Sequence, residues 1–196
     1  VPFLIPLHPY YRWQKATDKL SGILSGVDKN ADGTLELSFE WDVLSMSGVR
    51  SKLTIYPNGK IKFYLKGTPK GGALLRFGTQ FGLVEELDNV KWYGRGPQET
   101  YPDRKTGGKL GIWEKTVNDS PCATPLAFSA WHYTQNALEK ATHIHNLKHT
   151  DITTFNYDLA QMGVGGDMPG DAHVREPYIL HSNKEYEYSF TVEPLE

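Results

Sequence analysis

The sequence predicts an all-β protein, an antiparallel sandwich carrying one short helix. Three observations point there. Thr34-Leu35-Glu36-Leu37-Ser38-Phe39-Glu40-Trp41 alternates polar and apolar residues, which is the period of a half-buried strand. Leu53, Ile55, Ile61, Phe63 and Leu65 alternate on either side of Pro57-Asn58-Gly59, and Asn-Gly is a strong hairpin signal because both central residues of a type I′ turn need positive φ. The 19 Gly and 12 Pro accompany an aromatic content of 12%; aromatics favour strands, while Gly and Pro punctuate turns.

The strand over 34–41 and the hairpin of 52–57 with 60–66 are followed by predicted strands at 74–81, 89–93, 126–133, 153–159, 173–180 and 185–192, with Gly, Pro and Asn between them. A short helix is predicted over 135–142, where Thr134 can cap the first turn and Ala137, Leu138 and Ala141 form an apolar stripe. Many short strands with almost no helix argue for a sandwich. No internal repeat, linker or low-complexity stretch interrupts the 196 residues, so 1–196 reads as one domain.

Composition narrows the function. The net charge is −2, from 21 Lys+Arg against 23 Asp+Glu, which lacks the electrostatic footprint of a nucleic-acid binder. No apolar run approaches the roughly 20 residues that span a bilayer. No charged start leads into an apolar stretch, so no signal peptide is visible. Cys122 stands alone and can form neither an internal disulfide nor a zinc ribbon. A cytoplasmic location is favoured over a periplasmic one, although a single cysteine fits both.

Several short motifs weigh less than they suggest. Asp28-Lys29-Asn30-Ala31-Asp32-Gly33 looks like the first half of an EF-hand loop, but the twelfth position, which needs a bidentate Glu, is Phe39. Asp32-Gly33 reads better as a hairpin turn. His143, His145 and His149 could present imidazoles as a metal site does, but with no carboxylate or thiol partner nearby in sequence they read as a solvated strand end, and no metal site is expected. Gly163-Val164-Gly165-Gly166 and Gly94-Arg95-Gly96 are too short for a dinucleotide fingerprint.

The densest segment is Trp92-Tyr93-Gly94-Arg95-Gly96-Pro97-Gln98-Glu99-Thr100-Tyr101-Pro102-Asp103-Arg104. Glu99 and Asp103 resemble a glycosidase carboxylate pair. However, two adjacent guanidiniums, Arg95 and Arg104, would lower the pKa that a catalytic acid needs raised. An ion-pair network that shapes a loop is the stronger reading, so no catalytic residue is assigned.

This segment closely resembles the W-Y-G-R-G-P-x-E-x-Y-x-D-R motif in the C-terminal small-chain domain (domain 5) of β-galactosidases of glycoside hydrolase family 2. Three further stretches match in the family's order. Leu126–Thr134 resembles its F-S-A-x-x-Y segment, Ala141–Leu147 its T-H-x-H-x-L segment, and Leu159–Asp167 its Q-M-G-x-G-G-D segment. The resemblance implies an antiparallel β-supersandwich similar to galactose mutarotase, with Arg95, Glu99, Tyr101, Asp103 and Arg104 as a structural motif. It also implies a noncatalytic role at the active-site rim of an enzyme that removes terminal β-galactosyl residues with retention. The two catalytic Glu of that family sit on a separate (β/α)8 barrel, in a catalytic domain that often uses Mg2+ and Na+; no cofactor is implied for this chain. The implied partners are a β-galactoside and the barrel domain or large subunit, with a homo-oligomer compatible and neither nucleic acid nor membrane expected.

In that family a loop after the Gly-Gly-Asp carries a sugar-stacking Trp in many members. Here the continuation is Met168-Pro169-Gly170-Asp171-Ala172-His173. The resemblance therefore makes Asp167, Met168 and His173 the sugar-facing candidates. An alternative is a stand-alone galactoside-binding module using Trp131, His132 and Tyr133, since aromatic faces stack on a pyranose; for Trp131 a place in the core or at a domain interface is the stronger reading. His132 is also the candidate base, with Glu99 or Asp167 as acid, for a mutarotase-like alternative. The chain departs from the family pattern near 6–12 and 117–125, where segments are expected to be missing.

Overall fold

The computed structural model describes residues 13, 16, 20–117, 128–166 and 173–193. The described residues form antiparallel β-sheets with one short helix, the all-β class that the alternation predicts. Among them no helix is long and apolar enough to cross a membrane. The chain separates into two compact units, 1–75 with 180–196, and 76–179.

The first unit is a five-stranded sheet in the order β1-β2-β3-β4-β10. Its strands are β1 (Ser21–Lys29), β2 (Leu35–Asp42), β3 (Met46–Ile55), β4 (Ile61–Pro69) and β10 (Tyr186–Val192). The β1–β2 and β3–β4 loops share one geometry. Gly33 N–H donates to Asn30 O and Asn30 N–H to Thr34 O; likewise Gly59 N–H donates to Tyr56 O and Tyr56 N–H to Lys60 O. Only Gly33 and Gly59 take positive φ there, at 83° and 82°. The second loop is therefore not the type I′ turn that Asn58-Gly59 suggests. Pro57 fixes its own φ near −65°, which suits the first central position of a type I turn and leaves the single left-handed step to Gly59.

Aromatic pairs fix the register of this sheet. Phe63 on β4 lies opposite Phe190 on β10, with rings stacked at 4.8 Å. On β2, the Trp41 indole covers Gly22 of β1, leaving no room for a Cβ there, and donates to Ser51 Oγ at 2.8 Å. Strand β1 was not visible in the alternation, because Gly22 and Gly26 dilute its pattern and Leu24/Gly26 carry a bulge.

The second unit holds a three-stranded sheet, β5-β9-β8, and a hairpin, β6-β7. These strands are β5 (Arg76–Val84), β6 (Asn89–Gly96), β7 (Lys109–Thr116), β8 (Phe128–Trp131) and β9 (Ile152–Gln161). The two sheets meet through aromatic rings: Trp92 of β6 packs edge-on against Phe128 at 5.6 Å, and Phe128 stacks on Phe155 at 5.7 Å. The helix α1 (Gln135–Lys140) starts where predicted, with Thr134 Oγ1 accepting from the Ala137 amide at 3.1 Å.

One predicted strand is absent. Residues 173–180 contain a 3-10 turn, Glu176–Tyr178, followed by a single bridge from Leu180 to Leu74. Pro177 lacks an N–H and favours the first turn of a helix, which the period-two reading of that stretch overlooked. The expected missing segments near 6–12 and over 118–125 lie outside the described residues.

Candidate functional site

The Trp92–Arg104 motif starts on β6 and leaves it for a loop. Its glycines are set by the indoles on the hairpin. Trp92 Nε1 donates to Arg95 O at 3.2 Å and Trp113 Nε1 to Gly94 O at 3.1 Å. The Trp113 ring thereby lies across Gly96, where a Cβ would come within 2.8 Å of Cδ1. The Gly96–Pro97 peptide is cis and turns the chain out of the strand.

Past this point the charged residues grip backbone. Arg95 Nη1 donates to Lys105 O at 3.2 Å and to Gly108 O at 2.9 Å, pinning the 3-10 turn Lys105–Gly107. Tyr101 O accepts from the Arg104 amide at 2.9 Å, closing the turn that presents Asp103 and Arg104. Asp103 Oδ2 then accepts from Gly165 N–H at 2.8 Å, and Arg104 Nη2 donates to Gly165 O at 2.6 Å. Both polar groups of one residue are thus held by adjacent side chains that lie about sixty residues away in sequence. Such charge-assisted bonds are about twice as strong as neutral ones.

The segment being held needs its glycines. Gly165 and Gly166 have φ of 63° and 80°, the left-handed region. A Cβ on Gly163 would stand 2.6 Å from Asp103 Oδ2 and 2.9 Å from Tyr178 Cβ. The clasp therefore fixes the chain at the foot of 167–172. Where an ion-pair network of Glu99 and Asp103 with Arg95 and Arg104 is expected, Arg95, Asp103 and Arg104 bind backbone. The physical reason is supply: a loop and two consecutive left-handed residues leave carbonyls and amides outside any ladder, and buried backbone groups must be paired. Glu99 is exposed.

The other candidates fall in different places. Asp167 and Met168 lie outside the described residues, and His173 is exposed. Trp131 is buried, and its indole N–H has no partner among the described residues. His132 is 1% exposed, with Nδ1 3.2 Å from Thr153 Oγ1. Neither ring offers an open face to a pyranose. His143 and His145 sit at a 3-10 turn, Ile144–Asn146, with rings stacked at 5.2 Å, whereas His149 packs against His132 at 4.7 Å.

Sequence reasoning missed a buried polar network on the three-stranded sheet. Asn156, fully buried, accepts at Oδ1 from Arg76 Nη2 and Gln80 Nε2, both at 2.8 Å, and donates to Ser129 Oγ at 3.1 Å. Asp158, two residues on and on the same face, accepts from Gln161 Nε2 at 2.8 Å and lies 3.8 Å from Arg76 Nη1. Burial pushes the Asp158 carboxyl above its ordinary pKa, against the smaller downward pull of Arg76 and Gln161. The available signal was Asn156 and Asp158 at spacing two inside a predicted strand, polar residues where a core face was expected.

Comparisons with known proteins agree with the motif resemblance. A family model described as beta galactosidase small chain matches residues 8–125 and 120–192. The Beta-galactosidase of Streptococcus thermophilus is 26% identical over 225 residues, covering 94% of this chain and 22% of its own length. That of Lactococcus lactis subsp. lactis is 32% identical over 143 residues, covering 59% of this chain and 14% of its own. That of Pseudoalteromonas haloplanktis is 25% identical, covering 92% and 20%. The first alignment is longer than the 196-residue chain, so that relative carries stretches with no counterpart here. This chain spans about a fifth of the length of the relatives it matches along most of its own length. The chain belongs to the beta-galactosidase small-chain family.

Proposed function

We propose that this chain is the noncatalytic small-chain part of a β-galactosidase, shaping the rim of an active site whose catalytic carboxylates lie on a separate barrel domain or large subunit. The observation that carries this reading is the clasp of Asp103 and Arg104 on Gly165. It joins two of the family-like motifs and fixes the base of 167–172, the segment that the resemblance puts beside the sugar. Groups held this way contribute orientation rather than chemistry, because a positioned contact lowers the entropy cost of reaching the reactive geometry. Asp167, Met168 and His173 are the residues offered to the galactoside.

A surface for a larger partner supports the same reading. On one face of β6–β7, Tyr93 pairs with Ile112 and Arg95 with Leu110. Tyr93, Leu110 and Ile112 are 73%, 66% and 68% exposed. Clustered apolar side chains of this kind mark surfaces that a partner covers.

The test is hydrolysis of nitrophenyl β-galactoside. The chain alone is expected to give no turnover, and a hybrid in which it replaces the corresponding part of the Streptococcus thermophilus enzyme is expected to turn over. Turnover by the chain alone would overturn the proposal and point to a self-contained active site.

A further inference from the structure

The β5-β9-β8 sheet brings three potential metal ligands to one of its ends. Glu85 follows β5 in the turn closed by Leu87 N–H on Val84 O at 3.1 Å. His132 follows β8, and His149 precedes β9. The pairings Val84↔Ile152 and Trp131↔Thr154 place these strand ends side by side. Thr150 ties the two histidine segments together, donating from its amide to His132 O at 2.9 Å and from Oγ1 at 3.1 Å.

Glu85, His132 and His149 each offer one ligand atom, and these atoms all lie within 4.8 Å of one another. The His149 and His132 rings lie 4.7 Å apart, and His149 Nδ1 stands 3.9 Å from Glu85 Oε1. The buried His132 supplies the independent sign of a ligand. Its Nδ1 is engaged by Thr153 Oγ1 at 3.2 Å, while Nε2 is buried with no hydrogen-bond partner among the described residues. A bare buried ring nitrogen costs free energy unless something binds it. A ring held through one nitrogen with the other left open is the usual arrangement of a metal-bound imidazole.

We propose that Glu85, His132 and His149 form a binding site for a divalent transition metal of the zinc type, tying the β5–β6 turn to the ends of β8 and β9. Two imidazoles and one carboxylate suit zinc, which takes such ligands at about 2.0–2.2 Å and tolerates a fourth position filled by water. Hard ions such as Mg2+, which prefer oxygen, suit this donor set less well. Tetrahedral zinc needs its donors about 3.4 Å apart, so the ligands must close slightly around the ion. His132 is the fixed member. The side chains of Glu85 and His149 are 47% and 48% exposed and free to swing inward. This site is distinct from the exposed His143/His145 pair that the sequence singled out.

The experiment uses the full chain without a polyhistidine tag, freed of metal by chelation and titrated with ZnCl2 by calorimetry. Co2+ absorption reports the coordination geometry. One equivalent of Zn2+ per chain is expected, with a raised Tm and cobalt bands typical of four or five ligands. Glu85→Gln and His149→Ala are both at exposed positions and keep the buried His132 in place; each is expected to weaken binding at least tenfold with unchanged circular dichroism. Combined His143→Ala and His145→Ala is expected to leave binding intact. Less than a tenth of an equivalent bound, or binding that survives both Glu85→Gln and His149→Ala, would overturn the proposal. Loss of binding in the His143/His145 variant alone would move the metal to that turn and also overturn it.

Discussion

The two units solve the same problem, burying one face of an antiparallel sheet, by different means. In the first, order is local: β1 to β4 follow one another as hairpins, and charge pairs bind neighbouring strands at the surface, as in Arg50–Glu40 at 3.1 Å and Lys52–Glu36 at 3.1 Å. In the second, order is long-range and polar. Arg76 and Gln80 reach Asn156 across 80 and 76 residues, and Ser129, His132, Thr153, Asn156 and Asp158 are buried. Regular alternation suffices where only hydrophobic burial and turns are at stake. The second unit places polar groups in its interior, and Asn156 is satisfied there by partners far away in sequence.

The contrast can be broken most sharply with a single methyl. A Cβ on Gly78 would stand 2.7 Å from Tyr157 O and 2.8 Å from Asp158 Cα, backbone that cannot yield. On Gly26 in β1 the nearest atom would be 3.6 Å away. Gly78→Ala is expected to cost about 3 kcal/mol or more, as over-packing does at its upper end, and Gly26→Ala less than about 0.5 kcal/mol. Urea denaturation of the two variants reads the difference; equal effects would contradict the division drawn between the units.

Next in size is the clasp. Asp103→Ala leaves the Gly165 amide without its acceptor and is expected to cost about 1–3 kcal/mol, whereas Asp103→Asn, which keeps an acceptor oxygen, should cost less. Thermal unfolding measures both. A smaller effect comes from Asp158. Its pKa is raised in the fold by burial, so the native state holds this proton more tightly than the unfolded chain. The ionised form then opposes folding, and that penalty sets in as pH rises from the unfolded value through the folded one. Asp158→Asn should remove the gain in Tm that this carboxyl is expected to give the parent on lowering the pH toward the ordinary carboxylate range, and should raise Tm at neutral pH. A variant whose pH profile matches the parent would remove Asp158 from the account. The smallest effect belongs to the first unit. Arg50 and Glu40 have side chains 60% and 58% exposed, and breaking such a pair with Arg50→Ala should cost under about 1 kcal/mol and less at high salt.

The same division explains what was legible in the sequence. Strands β2, β3 and β4 announce themselves through alternation and the Asn58-Gly59 signal, since both depend on residues close in the chain. Strand β7 was overlooked because Leu110 and Ile112 point outward while Trp113 turns back onto Gly96, so its apolar residues do not mark a core face. The motif around Asp103 could be read as a motif, but not as a clasp, because its target, Gly165, is 62 residues away. His149 was grouped with His143 and His145 by proximity, whereas the fold groups it with Glu85 and His132. Periodicity carries local information: spacing two places Asn156 and Asp158 on one face, but it does not name their partners Arg76 and Gln80, 80 and 76 residues from Asn156.

The role proposed for Asp103 and Arg104 is to position sugar-facing residues through the Gly165 backbone they hold. Its most direct measurement is kcat/KM for nitrophenyl β-galactoside in the hybrid enzyme carrying Asp103→Ala, beside Asp103→Asn. The account predicts at least a tenfold loss in the alanine variant, near-parental activity in the asparagine variant, and normal assembly of both. Parental activity in an assembled Asp103→Ala hybrid would contradict it.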